Sequence, residues 1–217
     1  MGDDKTKQPR RRILETAITL FAQKGFDAVG VREIAKHAEV NISMISYYFE
    51  GKIGILKAII EEFHNKYFEV ISQVLSRSLT QEQVVRQLVT QIVNFIRENT
   101  NLTMVTIHSL PLDIPEIAAL KTDRVNKLID GIGELVRQYG LDPDNKGVFA
   151  IVGPAIISSI LAHFRFKPVQ KNILQIEFDD AFYDRYIDTL TTFFLYGLKG
   201  IIEKYQPAKG DNFENHC

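Results

Sequence analysis

The sequence VREIAKHAEVNISMISYYF (residues 31–49) contains two short segments with helical apolar spacing, at 31–38 and 42–49. Each spans only about two turns, so neither would be stable unless it packed against a longer helix. The small side chain of Ala35 would let the two helices cross at a steep angle. The positions that would face inward are Ile34, Ala38, Val40, Ile45 and Tyr48. The spacing therefore predicts a helix-turn-helix.

The break between the two segments carries one unfavourable and one favourable residue. Glu39 occupies the turn position at which glycine is usual, because the residue there often needs a positive φ, and a non-glycine residue costs ~1 kcal/mol. Asn41 is a good N-cap for the second segment. The first turn of that segment would point Ile42, Ser43 and Met44 at the major groove of a DNA duplex.

A longer helix precedes this pair from Arg10 onward, with apolar residues at three- and four-residue spacing. It is expected to end at Lys24, because Gly25 can adopt the left-handed conformation that closes a helix and Phe26 can fold back onto the apolar face. Residues 1–9 are polar and charged, and we expect a disordered arm there. Residues 10–52 are thus predicted to form a three-helix domain.

Beyond residue 52 the sequence predicts longer helices and no strand, which makes the chain all-α. Thr80 and Gln83 form a capping-box pair, and Asp142 with Pro143 indicates the start of a later helix that Pro154 would kink. The predicted segments are 53–77, 80–99, a short one at 102–110, 115–139, 143–166 and 179–205. Residues 53–206 would form one larger helical domain, followed by a loose tail at 207–217.

Composition indicates a soluble, cytoplasmic globular protein. Of the 217 residues, 45% are hydrophobic, which suffices for a packed core. We find no run of about 18 uninterrupted apolar residues and no secretory signal. The single cysteine, Cys217, excludes an intramolecular disulfide. Residues 1–57 carry a net charge of +3 and the remainder −4, which fits a nucleic-acid-binding domain on an acidic body but also fits chance fluctuation.

Two other classes of protein stay open as alternatives. An enzyme is disfavoured because the chain has no His-x-x-x-His pair, no nucleophile elbow and no phosphate-binding glycine loop. The histidines that could act are widely spaced: His37, His64, His108 and His163. No cofactor or metal is expected, although a metal site assembled across helices stays open. A helical interaction module would have to explain the arginines and tyrosines of residues 10–52 as surface residues only.

The sequence RRRILETAITLFAQKGFDAVGVREIAKHAEVNISMISYYFEGKIGIL (residues 10–56) resembles the N-terminal domain of the tetracycline repressor (TetR) family. The matching elements are LFAQKGF at the end of the first helix, REIA in the second, and YYF followed by Lys52. This chain departs from the family pattern at Gly30, Glu39, Ser46 and Gly54. Ser46 stands where a phosphate-binding tyrosine is common, so it puts one backbone contact in doubt.

The resemblance implies that this domain binds double-stranded operator DNA. Arg32 and the face formed by Ile42, Ser43 and Met44 would contact bases. The residues that would hold phosphates are Asn41, Ser46, Tyr47, Tyr48 and Lys52. Arg10, Arg11 and Arg12 lie near a helix N-terminus, where cations are unfavourable unless phosphate is close. Alternatively, Tyr48 is a core residue, Arg32 is a solvated surface residue, and the three arginines only keep a tail soluble.

The resemblance also implies a homodimeric repressor that responds to a small, mostly apolar ligand. The DNA-binding domains of the two chains must be held about one DNA turn apart, roughly 34 Å or a multiple of it. The helices near 143–166 and 179–205 would pair between the chains to hold them there. The candidate ligand-binding residues are Phe63, Tyr67, Phe95, Met104, His108, Phe149 and Val152. Aromatic and apolar residues at helical spacing also suit an ordinary core, and the apolar surface of the last helices could instead be covered within one chain.

Overall fold

The computed structural model describes residues 3–75, 79–107, 110–138, 142 and 145–205. Within those residues all regular structure is helical and no strand occurs, which confirms the all-α prediction. The helices are α1 (Asp3–Lys24), α2 (Val31–His37), α3 (Ile42–Phe49), α4 (Lys52–Leu75), α5 (Gln81–Glu98), α6 (Thr100–Ile107), α7 (Pro115–Gln138), α8 (Lys146–Leu174) and α9 (Asp180–Tyr205).

The chain divides into two compact units. Unit 1 comprises residues 1–73 and 94–129, and therefore contains α1 to α3, most of α4, α6 and the first part of α7. Unit 2 comprises residues 74–93 and 130–217, and contains most of α5 together with α8 and α9.

Helix α1 begins earlier than its sequence predicts but ends where predicted. It starts at Asp3, so residues 3–9, which we expected in a disordered arm, are helical, because the segment contains no glycine and its one proline costs only local hydrogen bonding. At the other end Gly25 has φ +82° and donates its N–H to the Phe21 carbonyl oxygen at 2.9 Å. Phe26 is buried with its ring 5.3 Å from that of Phe21, which confirms the predicted stop.

The first three helices enclose a small apolar core. Ile13, Ala17 and Phe21 of α1 are fully buried, as is Ile34 of α2, and Ile45 of α3 is almost so. An ion pair between Lys24 Nζ and Glu33 Oε1, at 2.6 Å, links the end of α1 to the start of α2. The buried apolar side chains on one face of α2 and of α3 therefore stabilise the helix-turn-helix.

The start of α5 confirms the predicted capping box. The backbone N–H of Thr80 donates to Gln83 Oε1 at 2.9 Å, and the N–H of Gln83 donates to Thr80 Oγ1 at 3.3 Å. In unit 2 an ion pair of 2.5 Å between Arg86 and Asp188 joins α5 to α9. The predicted short segment after α5 is α6, which begins at Thr100, two residues before its predicted start at 102.

Helix α8 differs from its prediction at both ends. Its N-cap is Asn145, whose Oδ1 accepts the N–H of Val148 at 3.1 Å, and Asp142 lies outside the helix. The helix continues through Pro168 to Leu174, eight residues beyond the predicted end at 166, and Gln175 closes it with φ +51°. A proline within a helix removes one hydrogen bond without stopping it, and no glycine follows to close the helix earlier.

The apolar surface of α8 and α9 is only partly covered within one chain. Ile160 and Leu161 are buried, whereas Ile151 is 68% exposed and Phe193 is 62% exposed. Coverage of this apolar surface within one chain, the alternative to pairing, is therefore incomplete among the described residues. By length and composition alone, α8 is also the one helix among the described residues that could cross a membrane, but the core helix of a soluble protein passes the same test. Gly153, Pro154 and Ser158 interrupt its apolar run, so the expected absence of an uninterrupted apolar segment stands.

Candidate nucleic-acid interface and ligand site

The turn between α2 and α3 adopts the conformation expected for glycine. Glu39 has φ +53°, and its N–H bonds the Lys36 carbonyl oxygen at 3.3 Å. The next residue, Val40, donates to the Ala35 carbonyl oxygen at 3.0 Å. These bonds hold the turn although a side chain in the left-handed region is strained.

Asn41 caps α3 as its position predicts. Its Oδ1 accepts the N–H of Ser43 at 2.9 Å and the Ser43 hydroxyl at 2.8 Å. The N–H of Met44 donates to the Asn41 carbonyl oxygen at 2.9 Å, so two donors of the first helical turn are satisfied by Asn41.

Helix α3 has one buried face and one open face. Ile45 and Phe49 are buried, whereas Tyr47 is 80% exposed and Ile42 is 42% exposed. The exposed residues on the open face are Ile42, Ser43, Ser46 and Tyr47, and Met44 and Tyr48 are half-buried. The Tyr47 and Tyr48 rings meet edge to face at 4.9 Å. Tyr48 thus lies at the margin of the core, between its two predicted roles.

The Lys52 ammonium group makes contacts within the protein. Its ammonium nitrogen lies 4.1 Å from the centroid of the Phe26 ring and donates to the Asp27 carbonyl oxygen at 3.4 Å. Burial lowers the pKa of Lys52. The cation therefore fastens the start of α4 to the loop after α1, and its predicted phosphate contact stays a prediction.

The four predicted arginines differ in their surroundings. The guanidinium carbon of Arg10 lies 5.1 Å from the centroid of the Phe49 ring, which places this charge beside the end of α3. Arg11 Nε pairs with Glu15 Oε1 at 2.7 Å. Arg12 and Arg32 are exposed, and neither forms an ion pair with any residue that the structure describes. A phosphate or base could therefore reach Arg12 and Arg32 without displacing a partner.

Three of the predicted ligand-binding residues come together in unit 1. The Phe63 and Tyr67 rings of α4 stack at 5.5 Å, and Phe95 of α5 meets them edge to face at 5.6 and 5.7 Å. All three are buried, and burial raises the pKa of Tyr67 to about 12. These rings form the aromatic trio (Phe63, Tyr67 and Phe95), and their direct contacts also suit the alternative of an ordinary core.

Of the other four predicted ligand-binding residues, Met104 and Val152 have described side chains. Met104 is half-buried on α6 in unit 1. Val152 is half-buried on α8 in unit 2, and Phe149 lies on the same helix with its side chain outside the described atoms. His108 lies outside the described residues.

An open groove of about 1060 Å³ lies in unit 1 beside α1 and the junction of α5 with α6. Its lining is mixed in charge, with Arg10, Arg11 and Lys66 facing Glu15 and Glu62. None of the predicted ligand-binding residues lines this groove. It is therefore a site different from the one predicted.

The sequence analysis did not predict the polar residues Lys121 and Arg124 as part of the region around the aromatic trio. Lys121 and Arg124 of α7 continue the inward face that begins at the fully buried Ile117, four and seven residues earlier in the chain. That spacing was the signal that could have revealed them. His64 of α4 is buried next to Phe63, and desolvation together with Lys121 and Arg124 lowers the pKa of His64 to about 4.

The other histidines of the described chain have protein partners. His37 Nδ1 lies 2.9 Å from the Glu33 carbonyl oxygen. His163 lies 2.9 Å from Gln170 Oε1 and 3.3 Å from the Tyr183 hydroxyl, within a ring of aromatic side chains. Among the described residues, no three His, Cys, Asp or Glu side chains are grouped so that they could hold a metal ion.

Comparison with known proteins gives one family match and several related chains. The family described as "Bacterial regulatory proteins, tetR family" matches residues 13–59. The chain is 38% identical to the "Probable HTH-type transcriptional regulator YttP" of Bacillus subtilis over 137 residues, 59% of this chain and 66% of that protein. The matches to three curated regulators span 66%, 47% and 44% of their lengths, less than two thirds of each.

Solved structures share the fold. The regulator FadR from Bacillus subtilis, in complex with stearoyl-CoA, has a TM-score of 0.59 at 17% identity and covers 83% of this chain and 97% of its own. AibR, in complex with isovaleryl coenzyme A and operator DNA, has a TM-score of 0.56 at 21% identity and covers 73% and 84%. At these identities the likeness shows the fold alone.

Proposed function

Because the chain belongs to the TetR family of bacterial regulatory proteins, we propose that it is a sequence-specific DNA-binding transcriptional regulator that acts as a repressor. The observation that carries this proposal is the two-sided character of α3. Its inner side is buried through Ile45 and Phe49, and its capped N-terminal turn and outer side are open. A helix exposed in this way can enter a major groove.

The contacts on α3 divide by chemistry. Ile42, Ser43 and Met44 meet base edges, with the apolar pair touching thymine methyl groups. The hydroxyls of Ser46 and Tyr47 bind phosphate oxygens, together with Asn41, Tyr48 and Lys52. Arg32 reaches a guanine, and Arg10 to Arg12 bind the phosphate backbone beside the groove. These assignments rest on the family resemblance and, except for the half-buried Met44, Tyr48 and Lys52, on the exposure of the side chains.

The repressor acts as a homodimer through α8 and α9. In one chain these helices leave Ile151, Phe193 and Tyr196 exposed, and such apolar surface is stable in water only when something covers it. Pairing with a second copy would cover this surface on both chains and hold two DNA-binding domains on one operator. Light scattering at micromolar concentration should give the mass of a dimer, and a monomer would contradict this part of the proposal.

A small, mostly apolar ligand regulates DNA binding from the aromatic trio. FadR and AibR, which share the fold, were solved with acyl-coenzyme A molecules. Helix α4 begins at Lys52, directly after the helix-turn-helix, and carries Phe63 and Tyr67 further along. A ligand that moves these rings therefore moves the helix that is fastened to the DNA-binding domain, and the two affinities are coupled reciprocally.

The protein is proposed to work in the cytoplasm, where operator DNA is found, and to be no enzyme. This follows from the family, whose described members are regulators. Metal analysis of the purified protein would detect an ion held by residues that the family pattern does not include.

Gel-shift assays with the promoter region upstream of the protein's own gene test the DNA-binding proposal. The double variant Arg32→Ala/Tyr47→Ala should lose sequence-selective binding, because both side chains are exposed on the proposed interface. Lys127→Ala is the control, because it also removes an exposed charge, but from α7 and not from the helix-turn-helix. Unimpaired selective binding by the double variant would remove the residue assignments.

A further inference from the structure

Among the described residues of unit 1, three buried polar side-chain atoms have no hydrogen-bond partner. They are His64 Nε2 on α4, Thr103 Oγ1 on α6 and Arg124 Nε on α7. Thr103 is fully buried and His64 is only 9% exposed. Buried polar atoms without partners are rare in folded proteins, since each has lost its hydrogen bonds to water and gained none, so a group of three calls for a functional reason.

His64 and Lys121 both lie beside Phe63. The His64 ring lies 5.4 Å from the Phe63 ring, and the Lys121 ammonium lies 5.8 Å from the Phe63 ring centroid. Lys121 donates to the Thr106 carbonyl oxygen at 3.3 Å, one turn along α6 from Thr103. His64 and Lys121 thus lie beside one member of the aromatic trio, Thr103 is on the helix that Lys121 contacts, and Arg124 is near enough to influence the charge of His64.

The groups in this region are mainly hydrogen-bond donors. An arginine Nε can only donate, a lysine ammonium can only donate, and a threonine hydroxyl and a histidine ring nitrogen can both donate. Arg124 Nη2 is held by Glu61, and this ion pair leaves Nε free. Lys121 is half-buried and forms no ion pair within the part of the chain that the structure describes.

We propose that His64, Thr103, Lys121 and Arg124 bind an anionic oxygen group, a carboxylate or a phosphoryl group, at the end of a ligand whose apolar chain packs against Phe63, Tyr67 and Phe95. The proposal rests on the ligand site of the proposed function and names its ligand class. Anionic oxygens accept hydrogen bonds strongly from charged donors, and they would satisfy donors that the protein itself leaves unsatisfied.

The test compares matched amphiphiles on the full-length protein. Saturated fatty acids of eight, twelve and sixteen carbons are titrated beside the corresponding 1-alkanols and alkyl phosphates, with the thermal midpoint Tm and the heat of binding as readouts. At least one acid or alkyl phosphate should raise the Tm, and its Kd should be tenfold or more below that of the alcohol with the same chain. The preference between acid and phosphate identifies the natural head group.

Lys121→Met and Lys127→Met form the matched pair of variants on α7. Lys127 is exposed and pairs with Asp123, so its loss should leave the preference for anions unchanged. Lys121→Met should abolish the preference, and it should also raise the Tm of the ligand-free protein, because a partly buried charge without a carboxylate partner is removed. A lysine with a purely structural role would lower that Tm when replaced.

Two results would overturn the proposal. One is equal binding of alcohols and anions by the unchanged protein, and the other is an anion preference that survives in Lys121→Met. If none of the amphiphiles binds, both this proposal and the proposed apolar ligand site are wrong. The gel-shift result tests the DNA-binding role separately.

Discussion

The backbone at Gly54 lies so close to Phe49 that a Cβ on residue 54 would overlap the Phe49 carbonyl oxygen. Gly54 lies in the first turn of α4, and Phe49 is the last residue of α3. The glycine that departs from the family pattern thus allows the chain to turn tightly from α3 into α4.

Gly54→Ala should lower the free energy of unfolding by roughly 1–3 kcal/mol, because the added methyl group must displace main-chain atoms. Urea denaturation at fixed protein concentration measures this. Gly133→Ala is the control, since Gly133 lies within α7 and a Cβ there would meet no atom within 4 Å. The control should gain about 1 kcal/mol from helix propensity. Equal effects of the two substitutions would show that the contact with Phe49 is unimportant.

Glu39→Gly should stabilise the protein by about 0.5–1 kcal/mol, because glycine adopts the positive φ of this turn without a steric penalty. The measurement is the Tm of the two proteins at one concentration. Glu39→Ala keeps the strain and should show no such gain. If alanine stabilises as much as glycine, loss of the glutamate charge is the cause and not relief of the backbone.

Substitutions of Asn41 should separate its two predicted roles. Asn41→Ala should cost about 1 kcal/mol of stability through loss of the cap to Ser43. Asn41→Asp should keep the cap and the stability, yet weaken binding to operator DNA in a gel shift, because it places a negative charge where a phosphate is proposed. Undiminished DNA binding by Asn41→Asp would place Asn41 away from the phosphates.

The free energy of unfolding should fall as the pH falls from about 6.5 to about 4, in part through His64. Its pKa is lowered from 6.5 to about 4 in the folded protein, first by desolvation and then by Lys121 and Arg124. In this window the unfolded chain binds a proton that folded His64 does not, so acid favours unfolding. The loss attributable to His64 is of order 1–3 kcal/mol.

Denaturation measured at several pH values gives the unfolding free energy as a function of pH. Between pH 6.5 and about 4 this free energy should change less with pH for His64→Leu than for the unchanged protein. His163 has a lowered pKa as well, caused mainly by burial, and it contributes a slope of the same sign in both proteins. An identical slope in both proteins would mean that His64 is already hydrated or charged in the folded state.

Features fixed by local chemistry could be predicted from the sequence. The stop at Gly25, the Thr80 and Gln83 capping box and the Asn41 cap each depend on residues within a few positions of one another. The positive φ at Glu39 was also foreseen, because a turn of this length between two helices requires it even when the residue is not glycine.

Features that depend on distant parts of the chain could not be predicted in this way. The extension of α8 through Pro168 contradicts a local rule, because proline disfavours but does not forbid a continuing helix. The grouping of His64, Thr103 and Lys121 requires three helices to meet, and each residue alone is an ordinary polar residue in its own helix. The positions that would contact DNA remain predictions.

Two residues with left-handed backbone conformation flank α3, with Glu39 in the turn before it and Glu50 immediately after it. Both ends of the helix are therefore set by backbone turns, so its eight residues cannot shift in register. The open face can be exchanged for that of a relative while the turns and the buried residues Ile45 and Phe49 are kept. Under the proposed function, operator specificity resides in this exchangeable face of α3, and chimeras that carry the open face of a relative are expected to bind that relative's operator.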